Sequence, residues 1–164
     1  MRTIVLSLAL FVLLALPVYA QTDISSRLAQ RDGATKLFFY KNTLRMINVS
    51  KNEAFDELIK NIDKVRYVTV PIERGGFTLE SYDALLTEIK GEGFEELMNM
   101  RQADRFIDAY LKGASEQPDG FIVTIRTEDD LTMLDMKGFI NPTQVGGLME
   151  SFQKFDIGRF LKGN

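Results

Sequence analysis

Residues 121–140 read FIVTIRTEDDLTMLDMKGFI, and this stretch decides the fold class. Two runs rich in β-branched and other apolar residues, 121–127 and 131–140, flank three consecutive acids at 128–130. Such runs form strands, and a short polar interruption between them forms a turn. The stretch therefore predicts a β-hairpin near the end of the chain.

The residues upstream alternate between strand and helix patterns. Strands are predicted at 35–40 (TKLFFY) and 65–72 (VRYVTVPI), where β-branched and aromatic residues dominate. A helix is predicted at 51–62, because Ser50 and Glu53 form a capping box before apolar residues at helical spacing. A second helix is predicted from the cap Thr78 to Gly91.

Residues 93–112 are ambiguous. They fit one long helix by propensity, and they fit two strands joined by an Arg-Gln-Ala-Asp turn by alternation. Residues 117–120 (QPDG) predict a turn, because proline presets φ and glycine accepts a positive φ. Residues 141 and 142 (Asn-Pro) predict the start of a last helix.

The grouping of strands late in the chain predicts an α+β fold. We expect a largely antiparallel sheet with helices packed on one face. The expected element order is β-α-β-α-β-β-β-β-α.

The first twenty residues have the layout of a cleavable signal peptide. Arg2 supplies the positive charge, residues 3–16 are almost wholly apolar, and Pro17 precedes a small-residue site ending at Ala20. We expect cleavage after Ala20, export to the periplasm or beyond, and a single α+β domain over residues 21–164.

Composition narrows the classes of function. The chain has no cysteine and no histidine, which excludes disulfides, cysteine nucleophiles, Ser-His-Asp triads and the usual zinc sites. The net charge is −3 without a basic cluster, so we expect neither nucleic-acid binding nor adhesion to an anionic membrane. No cysteine can carry a lipid after the signal, so no stable membrane anchor is expected after cleavage. No cofactor or metal is predicted, and the oligomeric state is open.

Three segments resemble a known family. They are TKLFFYKNTLRMI (35–47), FEELMNMRQADRFIDAYLK (94–112) and FIVTIRTEDDLTMLDMKGFIN (121–141). Together, behind a signal peptide, they are similar to a family of small exported proteins of Gram-negative bacteria, catalogued as domain of unknown function 4252. The resemblance implies two strands over 93–112. It implies no activity and no functional residues, and many members carry a lipid-attachment cysteine that this chain lacks.

Two places could contact a ligand or ion. Glu128, Asp129 and Asp130 offer clustered carboxylates for calcium, although their spacing does not match the D-x-D-x-D-G loop and a solvated turn is the alternative. Arg74, with the two glycines after it and the helix start at Thr78, could bind an anion, or the glycines could simply form a turn.

The methionines carry a separate hypothesis. Met98, Met100, Met133, Met136 and Met149 either fill the core or line an adaptable binding surface, and exposure of several together would favour binding.

These observations favour an exported non-enzymatic domain that binds a protein partner or ligand in the cell envelope. A carboxylate-dependent hydrolase and a carrier of an apolar small molecule are the alternatives. Two converging acids in a deep pocket would favour the hydrolase, and an internal cavity lined by Met and Phe would favour the carrier.

We predict that N-terminal sequencing of the exported protein begins at Gln21, because the small residues before it suit a signal peptidase. An intact Met1 in a membrane fraction would contradict this prediction.

Overall fold

A computed structural model describes residues 23–47, 51, 53–114 and 117–139. The predicted signal peptide and the predicted last helix lie outside these residues. No helix within the described ranges is long and apolar enough to cross a membrane.

Six strands form one sheet in the order β1-β2-β6-β5-β4-β3, and every neighbouring pair is antiparallel. The strands are β1 (Thr35–Tyr40), β2 (Ile62–Pro71), β3 (Phe94–Gln102), β4 (Arg105–Ala114), β5 (Gln117–Arg126) and β6 (Asp130–Gly138). The helices are α1 (Asp23–Leu28), α2 (Lys41–Ile47), α3 (Glu53–Ile59), α4 (Ile72–Gly75) and α5 (Leu79–Gly91). The predicted α+β class with an antiparallel sheet is confirmed.

The sheet buries side chains on both faces. Residues that pair directly in antiparallel strands share a face, and neighbours along a strand point to opposite faces. Val68 and its β6 partner Met133 pack on the first face with α1 and α5. Val65 and its partner Met136 pack on the second face with residues of α2 and α3. The longest helix, α5, thus lies on the first face, while the shorter α2 and α3 contact the second. The expectation that the helices pack on one face is wrong, because both faces of the sheet carry apolar side chains that need cover.

The hairpin predicted at 121–140 forms the middle of the sheet. Its strands β5 and β6 pair from Gly120 with Lys137 to Arg126 with Leu131. Thr127 closes the turn between them, because its backbone N donates to the carbonyl O of Asp130 at 2.9 Å.

The two-strand interpretation of residues 93–112 is confirmed. Strands β3 and β4 form a hairpin in which Gln102 pairs with Arg105. Ala103 takes a positive φ of 51° in the tight connection, a conformation uncommon for residues other than glycine. The helical propensity of this segment is overridden by sheet pairing.

The turn predicted at 117–120 is wrong. Gln117 to Gly120 form the start of β5 and pair with the end of β4. Pro118 lies opposite Gly113 beside a bulge, where a missing backbone donor is tolerated. A Cβ on Gly120 would lie 3.4 Å from the Phe94 ring, so this glycine serves close packing across the sheet.

Polar contacts join α1 to the first face. Ser25 donates to the Asp135 carboxylate at 2.6 Å, and the Arg66 guanidinium donates to the Ser25 hydroxyl at 2.9 Å. Arg66 and Asp135, which pair across β2 and β6, also lie within ion-pair distance at 3.8 Å. These groups are nearly buried, so each needs the others to offset lost hydration.

The helix starts and ends follow the predicted signals in part. Thr78 caps α5 by accepting from the backbone N of Ser81 at 3.2 Å, as its sequence predicts. The helix predicted at 51–62 is shorter and spans Glu53–Ile59, because Ile62 already pairs with Gly138 at the start of β2.

We predict that Gly138→Ala destabilises the fold by about 2 kcal/mol or more. Gly138 has a φ of +121°, and an added Cβ would overlap the carbonyl O of Asn61, which accepts from Phe139 N at 3.1 Å. Urea unfolding measures the effect. Gly91→Ala, where nothing lies within 4 Å of an added Cβ, is the matched control and should change stability little. Equal stability of the two variants would contradict the prediction.

Candidate functional site

The edge strand β3 is the most exposed element of the sheet. Every residue after Phe94 in this strand is exposed. The exposed fractions of its apolar side chains are 48% for Leu97, 44% for Met98 and 39% for Met100. Unpaired edge strands are templates for pairing with another chain, and native proteins usually blunt them. This exposed nine-residue edge, with three apolar side chains at its centre, is therefore a candidate interaction surface.

A bulge divides β3. Glu96 pairs with Tyr110 and Met98 pairs with Ala109, so Leu97 is the extra residue. Met98 and Met100 share the second face with Ala109 and Ile107, while Asn99 and Arg101 share the first face with Asp108 and Phe106. Bulges re-aim side chains at sheet edges. The exposed strand consequently has an apolar side on one face and a polar side on the other.

A buried polar cluster anchors the strand to the core. The Asp108 carboxylate is 1% exposed and accepts hydrogen bonds from the Tyr82 hydroxyl and the Asn99 amide. The Tyr82 hydroxyl also lies 3.0 Å from the hydroxyl of Thr124, which is fully buried. Helix α5 supplies Tyr82, the sheet interior supplies Asp108 and Thr124, and β3 supplies Asn99. The cluster therefore connects the helix layer to the exposed edge.

The electrostatics of this cluster keep Tyr82 protonated. Burial raises the pKa of Tyr82 well above its ordinary value, and its hydrogen bond to Asp108 raises the pKa further. A phenol held in this way is a hydrogen-bond donor, since its ionised form is strongly disfavoured. The cluster is therefore arranged to hold Asp108 in place.

Charged side chains flank the apolar centre of β3. Toward its start, the Lys90 ammonium of α5 contacts the Glu96 carboxylate at 2.6 Å. Toward its end, the Arg101 guanidinium lies 5.2 Å from the centre of the Phe106 ring. The Arg126 guanidinium lies 5.4 Å from the same ring. The polar side of the edge thus carries a negative charge at Glu96 and a positive charge at Arg101.

The residues predicted as ligand or ion contacts lie in the β5–β6 turn and in α4. Glu128 and Asp129 are exposed and Asp130 is half-buried at the β5–β6 turn. Arg74 lies in α4, which the turn contacts directly: the backbone N of Ile72 donates to the carbonyl O of Asp129 at 2.7 Å. The fold therefore brings the acidic turn close to the segment that contains Arg74.

No metal centre is found in the described ranges, and one groove there bears on the alternative functions. Those residues contain no group of three or more acids placed to hold a metal ion. A groove of about 230 Å³ lies between α1 and α5, with Arg27, Arg31 and Glu88 at its polar side and Phe77 at its apolar side. Among the residues that the structure describes, no methionine lines this groove.

The methionines are divided between the two predicted roles, filling the core and lining an exposed surface. Met98 and Met100 are exposed together on β3, while Met133 and Met136 are buried in the core. Met149 lies outside the described residues. Exposure of neighbouring methionines is the condition that favours a binding surface.

Sequence patterns missed the anchoring cluster. Asp108 stands in an alternating run, FIDAYL, whose acid would be assigned to the solvent side of a half-buried strand. The one available signal was the strict alternation of Phe106, Asp108 and Tyr110, which places the acid on the same face as two aromatic residues. Only pairing with Thr124 and the cover of α5 show that this face is buried.

The fold is a small α+β domain built on one antiparallel sheet, and its edge strand β3 exposes apolar side chains. The chain belongs to the family described as Domain of unknown function (DUF4252), whose model matches residues 30–148. The comparisons found no matching curated protein and no matching solved structure.

We predict that Tyr82→Phe lowers stability by roughly 1–3 kcal/mol at neutral pH, because the buried Asp108 carboxylate loses a donor. The wild-type protein should also lose stability as the pH rises past about 10, where tyrosines of the unfolded chain ionise. Tyr82, whose pKa is raised in the fold, contributes stability below that pH and loses the contribution above it.

Chemical unfolding at several pH values measures both effects. The alkaline decline of Tyr82→Phe should be shallower than that of the wild type. Tyr40→Phe, at an exposed ring, is the matched control and should leave stability at neutral pH nearly unchanged. A Tyr82→Phe variant as stable as the wild type at neutral pH would show that the cluster does not hold the fold.

Proposed function

We propose that this chain is an exported, non-enzymatic domain that binds a protein partner in the cell envelope by adding a strand to β3. The observation that carries the proposal is the joint exposure of Leu97, Met98 and Met100 on an edge strand. Export to the envelope rests on the signal-like first twenty residues.

Strand addition suits this edge because β3 offers an edge backbone and side chains of different character on its two faces. Main-chain hydrogen bonds to an edge give affinity, and pockets for alternate side chains give specificity. On β3 the alternation is Met98 and Met100 on one face with Asn99 and Arg101 on the other. A partner strand would meet apolar side chains on one face and polar ones on the opposite face. Methionine is suited to the apolar side because its flexible thioether adapts to varied neighbours.

The edge is also pre-ordered. Asn99 is tied to the buried Asp108, and Glu96 is tied to Lys90 on α5. A strand already held in extended form loses less conformational freedom on binding than a flexible segment does. The anchoring cluster therefore supports a docking role for β3.

The opposite edge is less suited to this role. Strand β1 has six residues against the nine of β3. The Lys64 ammonium lies over the rings of its exposed Phe38 and Tyr40, at 5.9 and 5.4 Å from their centres. Burial, followed by the nearby Arg66, lowers the pKa of Lys64. Cations along an edge oppose pairing with another chain.

The alternative functions have less support. A hydrolase needs converging carboxylates, whereas Asp108 and Asp135 are each engaged by hydrogen bonds in separate clusters. A carrier needs an enclosed apolar cavity, whereas the groove between α1 and α5 is lined in part by Arg27, Arg31 and Glu88.

We predict that replacing Met98 and Met100 together by lysine abolishes capture of a specific envelope protein by the tagged, exported chain. The two lysines remove the apolar side of the edge and add charges that oppose strand pairing. Quantitative mass spectrometry of the captured proteins measures the loss.

Met46→Lys is the matched control, because Met46 is 78% exposed on α2 and lies away from β3. A partner should be retained by the wild type and by this control, and lost only by the β3 variant. A captured protein that binds all three chains equally would overturn the proposed role of β3.

A further inference from the structure

We propose that the strand which pairs with β3 is β3 of a second copy of this chain, running antiparallel, so that two six-stranded sheets join into one. This inference rests on the proposed function, since it needs β3 to act as a docking edge. The partner is inferred from the charge and the shape of the β3 edge.

Self-pairing requires that directly opposed residues lie on the same face. The pairing of β3 with β4 assigns each β3 side chain to a face. On the first face lie Glu96, Asn99 and Arg101. On the second face lie Glu95, Met98, Met100 and Gln102.

One register satisfies this rule and matches charge at the same time. It places Asn99 on the two-fold axis, opposite Asn99 of the second copy. Met98 then lies opposite Met100 of the second copy, and the symmetry repeats this apolar contact. A contact of this kind, in which one patch meets itself, is the usual form of a symmetric dimer.

The bulge at Leu97 brings the charges into line. It offsets the register by one residue, as it does between Glu96–Tyr110 and Met98–Ala109 in the existing sheet. With that offset, Glu96 lies opposite Arg101 of the second copy, and Glu95 lies opposite Gln102. Opposite charges facing each other across strands are stabilising, and two-fold symmetry makes the Glu96–Arg101 contact twice.

Other registers lose this match. Slippage must occur by two residues, because a shift of one exchanges the two faces. A shift in one direction opposes Met98 to Gln102, and a shift in the other opposes Glu95 to Met100. Both shifts separate Glu96 from Arg101. The edge is therefore complementary to itself in one register.

The monomer contacts of these two charges are compatible with the pairing. Glu96 already accepts from Lys90, and a carboxylate has lone pairs for a second cation. Arg101 lies over the Phe106 ring of β4, a cation–π contact that does not itself require hydrogen-bond donors.

Charge reversal tests the register. Glu96→Arg and Arg101→Glu each place like charges opposite each other at both symmetric contacts, so each variant should dimerise about tenfold or more weakly than the wild type. An equal mixture of the two restores opposite charges at both contacts, as does the double variant E96R/R101E. Both should recover dimers. Arg45→Glu, at an exposed position on α2, is the control and should dimerise as the wild type does.

Sedimentation equilibrium of the exported protein, purified after expression with its own first twenty residues, measures these affinities. Concentrations up to roughly 100 μM cover the range of a small transient interface. Circular dichroism checks that each variant is folded, and recovery in the double variant excludes a folding defect as the cause.

Two results would overturn the inference. One is a wild-type chain that stays monomeric throughout this range, and the other is a pair of single variants that dimerise as well as the wild type or are not rescued on mixing. A monomeric wild type whose capture of another protein still depends on Met98 and Met100 would overturn self-pairing alone. If neither dimerisation nor protein capture depends on β3, the docking role of β3 is overturned as well.

Discussion

The buried carboxylate of Asp108 is the constraint on which the rest of the edge depends. A carboxylate that is 1% exposed must be satisfied by donors, and here they come from Tyr82 on α5 and Asn99 on β3. These two hydrogen bonds link helix α5, the inner strand β4 and the edge strand β3. Because burial and the hydrogen bond to Asp108 raise the pKa of Tyr82, its hydroxyl remains a donor to Asp108 at neutral pH. An apolar residue in place of Asp108 would remove the polar link that joins Asn99 of β3 to Tyr82 of α5.

Strand β3 is anchored to the core and is also exposed along its edge. Its backbone is placed by the ladder and by Asn99, while Leu97, Met98 and Met100 remain exposed. Sheets that must avoid association shorten their edges or cover them with charge. The β1 edge is shorter and has Lys64 over its aromatic rings, whereas the charges of β3 lie on either side of an exposed apolar centre. The difference between the two edges is a physical reason to regard β3 as a surface for recognition.

Local patterns predicted much of the fold and little of the candidate site. Strand β1, the cap at Thr78 and the β5–β6 hairpin follow from propensity, capping and alternation, which act over a few residues. The prediction of a turn at 117–120 (QPDG) is wrong because cross-strand pairing with β4 and packing against Phe94 outweigh the turn propensity of this segment. Segment 93–112 was resolved by family resemblance, since its helical propensity and its alternation disagree. The two predicted contact regions, Arg74 and residues 128–130, were found near each other, a proximity that no local pattern indicates.

The amino-acid sequence by itself determined the class of the fold and the absence of cysteine and histidine chemistry. Each of these follows from composition or from the period of two along a strand. The tertiary structure alone decided which strands lie at the edges, which acid is buried, and which methionines face solvent. Strand order arises from pairings between residues far apart in the chain, such as Val65 with Met136, and a local pattern has no information about such pairings. Position in the sheet therefore decides that the centre of β5 is buried on both faces while β3 is exposed.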